Sequence, residues 1–235
     1  NAGHILGSAM YEFEYGGEEK KRILFTGDLG NSPSILLPDT EFMNDADYIV
    51  MESVYGDRNH ESKVERDKKF KNELNEAIER GGTVLMPAFS LERTQTLLYE
   101  LNELLENGQI AQVPVFLDSP LAISLTEIYK RMTSSFKKSV QEDIKGGDEI
   151  FEFKGLKITP RSDDSRAIAS VSGAKIIIAG SGMSTAGRIL HHEKRFLPDG
   201  NATVLITGYQ SPGTLGRQIE EGAKEVEIDG SKVSV

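Results

Sequence analysis

The chain has 235 residues, 38% of them hydrophobic, and a formal net charge of −10. This composition is typical of a globular protein with one large or two small domains, without a bilayer-spanning apolar run or a secretion signal. The negative charge argues against a broadly basic nucleic-acid-binding surface but not against a local basic strip. The absence of cysteine excludes disulfides and thiolate metal sites and favours a cytoplasmic location.

Residues 8–28 are predicted to form a β-hairpin. Aromatic residues alternate with glutamates in YEFEY, a Gly-Gly pair provides the turn, and RILFT returns the chain. After an irregular stretch, a short strand, YIVM, ends at Glu52.

Helices and apolar strands are then predicted to alternate. A helix over residues 62–80 is followed by the strand TVLMP and by a helix that Ser90 is predicted to cap. The strands VPVFLD, KIIIAG and TVLITG follow, with helices beginning at Ser119-Pro120 and lying near residues 185–196. This alternation indicates an α/β domain with a mainly parallel sheet flanked by helices.

The hairpin predicts that two distant polar residues meet. An antiparallel hairpin brings the start of its first strand beside the end of its second, so His4 and Asp28 should lie close together. Glu52, at the end of the next strand, could bring a second carboxylate to the same edge. Imidazole and carboxylate ligands suit zinc. The spacing alone equally fits a loop histidine and a turn-forming aspartate without a metal.

Several segments carry a more specific pattern. AGHILGSA, FTGDLG and ESVYGDR are followed by MPAFSLERTQTLLYEL, LDSPLA, IIIAGSGMSTAGRILHH and VLITGYQSPGTLGRQI. In this order they closely resemble the metallo-β-lactamase-fold nucleases that carry a β-CASP insert, over nearly the whole chain. The resemblance implies that residues 1–56 and 215–235 belong to an αββα metallo-β-lactamase core and that residues 57–214 form the β-CASP domain.

The resemblance also implies a two-zinc site that this chain contains only in part. His4 would bind one zinc ion, Asp28 would bridge two, and Glu52 would support the site or handle a proton. A His-x-His-x-Asp-His cluster is expected before His4 and a further metal-binding histidine after Val235. The chain is therefore expected to be an internal fragment, inactive alone, of an enzyme that hydrolyses RNA phosphodiester bonds with zinc.

Residues of the β-CASP segment are expected to hold RNA phosphates. Arg93 lies in the first turn of a predicted helix, where backbone N–H groups favour an anion. Ser181 and Gly182 belong to a glycine-rich turn before another helix, and Arg188 follows one turn later. His60 could reach the mouth of the cleft that the resemblance implies between the metallo-β-lactamase core and the β-CASP domain. Arg93 and His60 also fit ordinary surface residues.

Other functions stay open on the sequence alone. IIIAGSGMSTAG has the strand, turn and helix of a dinucleotide site, but Thr185 stands where G-x-G-x-x-G needs its third glycine. A homologue that lost metal ligands would be a non-catalytic scaffold or RNA-binding protein, and related folds act on DNA or small esters. RNA is the expected partner, without a membrane; a homodimer and association with processing-complex subunits both stay open.

Overall fold

The computed structural model describes residues 1–235 as two compact units. Unit 1 comprises residues 1–66 and 132–148, and unit 2 comprises residues 67–131 and 149–235. The strands form three separate sheets, of three, two and five strands. None of the helices is both long enough and apolar enough to cross a membrane.

Unit 1 contains the predicted hairpin. Strands β1 (Tyr11–Tyr15) and β2 (Lys21–Phe25) pair antiparallel, and β3 (Tyr48–Val50) pairs parallel with β2. In the second segment of the unit, helix α4 (Lys138–Lys145) follows Lys137, whose backbone N–H donates to the Leu36 carbonyl over 3.1 Å. The antiparallel pairing of β1 with β2 confirms the predicted hairpin.

Unit 2 is built on a five-stranded sheet in which every pairing is parallel. The strand order is β6-β5-β7-β4-β8. Every residue of β4, β5 and β7 is buried, as expected for a sheet covered on both faces. The strands are β4 (Thr83–Pro87), β5 (Val115–Leu117), β6 (Leu156–Ile158), β7 (Lys175–Ala179) and β8 (Ala202–Val204). The predicted α/β class with a mainly parallel sheet is confirmed.

Helices connect these strands, and their ends follow from local sequence. The helices are α1 (Lys63–Glu79), which begins in unit 1, and α2 (Arg93–Glu106), α3 (Pro120–Arg131), α5 (Ser162–Ala167) and α6 (Arg188–Phe196). The Ser119 hydroxyl accepts the Ala122 N–H at 3.3 Å and so caps α3, as the Ser-Pro pair predicts. The prediction that Ser90 caps α2 is wrong, because the residue before that helix is Glu92 and the Ser90 hydroxyl instead contacts that of Ser119 over 3.2 Å.

Residues 215–235 pack within unit 2. Helix α7 (Leu215–Glu220) and the antiparallel strands β9 (Glu225–Ile228) and β10 (Ser231–Ser234) share a small apolar cluster that includes Leu197. The assignment of residues 1–56 and 215–235 to a common hydrolase core, with residues 57–214 inserted, stays a prediction.

Candidate functional site

The hairpin brings His4 and Asp28 together in unit 1. Tyr11 of β1 is opposite Phe25 of β2, so the residues flanking the two strands share one edge. The Nε2 atom of His4 lies 3.8 Å from the Oδ2 atom of Asp28, and both side chains are accessible to solvent. The backbone approach depends on Gly30, because a Cβ there would lie 2.0 Å from the carbonyl oxygen of Gly3.

The chemistry of this pair fits part of a metal site. The Nδ1 atom of His4 lies 3.2 Å from the carbonyl oxygen of Leu29. A carbonyl accepts but cannot donate, so this contact favours the tautomer with its proton on Nδ1 and leaves the Nε2 lone pair facing Asp28. No group of three or more His, Asp or Glu side chains in residues 1–235 is arranged to hold a metal ion. An imidazole nitrogen and a carboxylate oxygen are two ligand types that zinc accepts, and a complete zinc site would need further ligands.

Glu52 lies at the same edge of the three-stranded sheet as Asp28. Because β2 and β3 are parallel, the residues after both strands emerge together, and Thr26 N–H extends the pairing to the Val50 carbonyl at 3.0 Å. Asp28 and Glu52 line one open pocket. The Oε2 atom of Glu52 accepts the Val54 N–H at 3.0 Å, which fixes the carboxylate. The structure thus places Glu52 and Asp28 at one edge of this sheet, and the role of Glu52 there stays a prediction.

His60 also lies in unit 1. Its ring packs against the ring of Tyr55, with centroids 4.3 Å apart, and the side chain is exposed. The contact that the structure gives for its ring is this one with Tyr55. Its predicted contact with substrate stays a prediction.

The carboxyl edge of the five-stranded sheet carries the predicted phosphate-binding residues of unit 2. Arg93 is the first residue of α2 and is exposed. An ideal Cβ on Gly180, at the end of β7, would lie 3.7 Å from the Ser90 hydroxyl and 3.8 Å from that of Ser119. The hydroxyls of Ser90, after β4, and Ser119, after β5, therefore converge on the glycine-rich loop that follows β7, the strand between them in the sheet. This is the edge at which open α/β sheets bind ligands.

The backbone of the glycine-rich loop, residues 180–187 (the glycine loop), is held by a side chain within the loop. The Ser181 hydroxyl accepts the N–H groups of Thr185 at 2.9 Å and Ala186 at 3.2 Å. Gly182 is packed so closely that a Cβ would meet ring carbons of Phe89 at 2.7 and 2.9 Å. Glycine is required at Gly187 too, where φ is +81° and a Cβ would lie 2.4 Å from the Gly180 carbonyl oxygen.

Arg188 has partners that the sequence did not reveal. Its side chain donates to the Asp118 carboxylate at 2.7 Å and to the backbone carbonyls of Thr159 and Pro160 at 2.6 and 2.9 Å. These contacts fix the first residue of α6, directly after the glycine loop. The guanidinium therefore shapes the loop.

Asp118 is the centre of this buried network. Its fully buried carboxylate also accepts from Ser165 and Thr159, and it contacts His192 Nε2 at 2.6 Å. Burial alone would raise the pKa of Asp118, but hydrogen bonds from His192, Ser165, Thr159 and Arg188 together outweigh it and lower the pKa to about 2. The carboxylate is thus ionised and paired. Its neighbour in sequence, His191, is exposed, whereas His192 is buried.

A second buried carboxyl lies beneath the glycine loop. Ser184 donates to Glu193, whose second oxygen has no hydrogen-bond partner. Burial raises the pKa of Glu193 to about 7, although the Ser184 hydrogen bond lowers it in part. Gln210 supports the same loop by donating to the Gly182 carbonyl at 3.0 Å. Neither residue stood out in the sequence.

These features define an α/β protein with a His–Asp pair on a hairpin and an ordered glycine loop at the carboxyl edge of a parallel sheet. A family model described as Beta-Casp domain matches residues 94–219. The chain therefore belongs to the Beta-Casp family.

Named relatives align along almost the whole chain. Ribonuclease TTHA0252 of Thermus thermophilus is 35% identical over 99% of the chain, and an RNase J-like protein of Methanocaldococcus jannaschii is 32% identical over 100%. Endoribonuclease ysh1 of Schizosaccharomyces pombe is 32% identical over 99%. The chain spans 53%, 54% and 30% of these relatives' lengths, respectively.

Proposed function

We propose that the whole protein is a zinc-dependent ribonuclease that hydrolyses RNA phosphodiester bonds. The observation that carries this proposal is the solvent-accessible His4–Asp28 pair, whose Nε2 and Oδ2 atoms lie 3.8 Å apart. Family membership supports it, because the relatives aligned above are named as ribonucleases or as RNase J-like.

Each residue at this edge has a distinct task in the proposal. His4 would hold the metal through Nε2, and Asp28 would hold it through its carboxylate, which can bridge two ions. Zinc bound there would supply an activated water at neutral pH and neutralise charge on the phosphate. The Glu52 carboxylate, held by the Val54 N–H, would accept the proton that the attacking water loses.

RNA phosphates would be held in unit 2. Arg93 is exposed at the start of α2, where its charge adds to the positive end of the helix dipole. Ser181 and Gly182 would offer the glycine loop as a second contact. We include Arg188 as a residue that shapes this loop, because its guanidinium is engaged by Asp118. His60, which lies in unit 1, would contact the RNA strand.

The test compares metal-depleted and zinc-reconstituted full-length protein on end-labelled RNA and on DNA of the same sequence. Zinc-dependent RNA cleavage that a chelator abolishes is the expected result. Equal or better cleavage of DNA would favour the DNA-hydrolase alternative, and RNA binding without cleavage would favour the scaffold alternative. Residues 1–235 alone should show negligible hydrolysis, since they supply only two metal ligands.

A further inference from the structure

Phe89 is an exposed aromatic residue at the end of a buried strand. All five residues of β4 and the next residue, Ala88, are buried, whereas the Phe89 side chain is 48% exposed. A large ring at the end of a central strand normally continues the core. Its exposure at the carboxyl edge, where the hydroxyls and the glycine loop converge, therefore needs an explanation.

The ring is held in a fixed position although it is exposed. The Phe89 carbonyl accepts both the backbone N–H of Thr94, at 3.2 Å, and its hydroxyl, at 2.8 Å. One edge of the ring lies against the backbone of Gly182, where any Cβ would collide with it. A side chain ordered in this way loses little conformational entropy when a flat ligand covers its free surface.

A second aromatic residue lies at the same edge. Strand β8 pairs with β4, and beyond it the Thr207 hydroxyl donates to the Pro87 carbonyl at 3.3 Å. Tyr209, two residues later, is 36% exposed. Because the next residue, Gln210, donates to the carbonyl of Gly182, this segment and the Phe89 ring both contact Gly182. Aromatic surface therefore accompanies the polar groups of the loop.

We propose that Phe89 is a stacking platform for one nucleobase of a single-stranded RNA. The inference rests on the proposed function, since RNA is the ligand of that function. It adds a base subsite to contacts that otherwise reach only phosphates: Arg93 and Ser181 would hold the backbone while the base lies on the Phe89 ring. Aromatic stacking accepts every base, because each has a π face, so this subsite would fix the position of the strand without reading its sequence.

The experiment uses the full-length protein with Asp28→Ala, so that RNA is bound without being cut. A series of short RNAs carries 2-aminopurine at successive positions, and a second series carries an abasic site at the same positions. One position should show strong fluorescence quenching, and loss of the base there should weaken binding about tenfold. Phe89→Leu should weaken binding of intact RNA by the same factor and abolish the quenching, whereas Phe89→Tyr should retain both.

The control is Phe42→Leu, which removes a 96% exposed phenylalanine from a loop of unit 1 and should leave affinity and quenching unchanged. If no position is quenched and Phe89→Leu binds like the parent, Phe89 is only a packing residue and the stacking proposal fails while RNA binding stands. If the parent does not bind RNA at all, the proposed function itself fails. Should Phe89→Leu not fold, the abasic series in the parent decides alone, because a flat profile contradicts the proposal.

Discussion

The two larger sheets of this protein differ in how completely they are covered. Every residue of β1 and β3 in unit 1 is exposed, whereas every residue of β4, β5 and β7 in unit 2 is buried. The sequences differ accordingly: YEFEY alternates polar and apolar residues, whereas KIIIA is nearly uniformly apolar. Unit 2 thus buries its central strands in its own core, while the aromatic side chains of β1 are exposed within residues 1–235.

The polar groups of the two units differ in the same way. His4 and Asp28 are 3.8 Å apart and open to solvent, so a ligand can still engage them. Asp118 is fully buried, and its carboxylate is hydrogen-bonded by the residue that follows β6 and by residues of α5 and α6. The accessible carboxylate of Asp28 is free to take the proposed catalytic role, whereas the buried, fully hydrogen-bonded carboxylate of Asp118 supports the fold. Substitutions in the two units should therefore separate catalysis from stability.

The largest effect is expected at Asp28. In the full-length protein, Asp28→Ala should reduce RNA cleavage by on the order of a thousandfold or more, because it removes the carboxylate proposed to hold the metal ions. Bound zinc, measured by elemental analysis, should fall, while RNA affinity should stay near the parent value because the proposed phosphate contacts lie in unit 2. Glu12→Ala, which removes another exposed carboxylate of unit 1, is the control. Cleavage retained by Asp28→Ala would contradict the assignment of catalysis to unit 1.

The complementary substitution is Asp118→Ala in unit 2. It leaves the buried site of Asp118 empty and the partly buried Arg188 without its carboxylate, so the free energy of unfolding should fall by about 3–5 kcal/mol in urea titrations. Asp163→Ala removes an exposed carboxylate from the neighbouring α5 and should leave the unfolding midpoint nearly unchanged. Equal stability of both variants would break the proposed contrast between the units.

Asp118 also predicts how the protein responds to acid. Its folded-state pKa of about 2 lies below the ordinary 3.8, so the stabilisation is present above about pH 4 and is lost as the pH falls through about 2. The shift corresponds to about 2 kcal/mol. Urea titrations at several acidic pH values should show this loss in the parent and not in Asp118→Ala.

Glu193 has the opposite dependence on pH. Its pKa is raised from 4.5 to about 7, so the folded state disfavours its ionised form. The folding stability that depends on a neutral Glu193 is fully present below about pH 4.5. It is lost as the pH rises through 7, by about 3 kcal/mol in total. Glu193→Gln removes this titration, so the variant should become more stable than the parent above pH 7. Urea titrations at pH 5 and pH 8 check this, and parallel pH profiles of parent and variant would contradict it.

The positions of the helices and strands could be predicted well from the sequence, whereas the buried polar network of unit 2 could not. Hairpin geometry alone brings His4 and Asp28 together, because antiparallel pairing fixes which chain ends meet. The Asp118 network depends instead on how β5, β6 and α6 are ordered in the sheet, and no local spacing encodes the approach of residues 70 or more positions apart, as for His192. The LDSPLA segment predicted the start of a helix correctly, but it gave no indication that its aspartate is buried.

The helix starts show the same limit. Ser90 has the residue type and position of an N-cap, yet its hydroxyl contacts Ser119, because β4 and β5 both end beside Gly180. Glu92 takes the position before α2, with φ +62°. Tertiary contact thus overrode a local preference. Arg93 nevertheless remains at the start of the helix, so the prediction about its charge is unaffected by this correction.

The smallest expected effect concerns that charge. In full-length protein carrying Asp28→Ala, the further change Arg93→Ala should weaken RNA binding several-fold. It should also reduce the slope of log K against log salt concentration by about 0.7, the value for one phosphate contact on a single strand. With Asp28 intact, Arg93→Ala should leave the zinc content unchanged, because Arg93 lies in unit 2 and the His4–Asp28 pair lies in unit 1.

Arg131→Ala is the matched control for this measurement. Arg131 is also exposed and ends α3, so it lies at the amino edge of the same sheet, since a helix that follows a parallel strand runs back from the carboxyl edge. Both variants lose one positive charge and change the long-range field similarly. A loss of slope in Arg93→Ala alone therefore identifies a local phosphate contact, whereas equal small losses in both variants would show that only net charge matters and that the carboxyl edge is not where RNA is held.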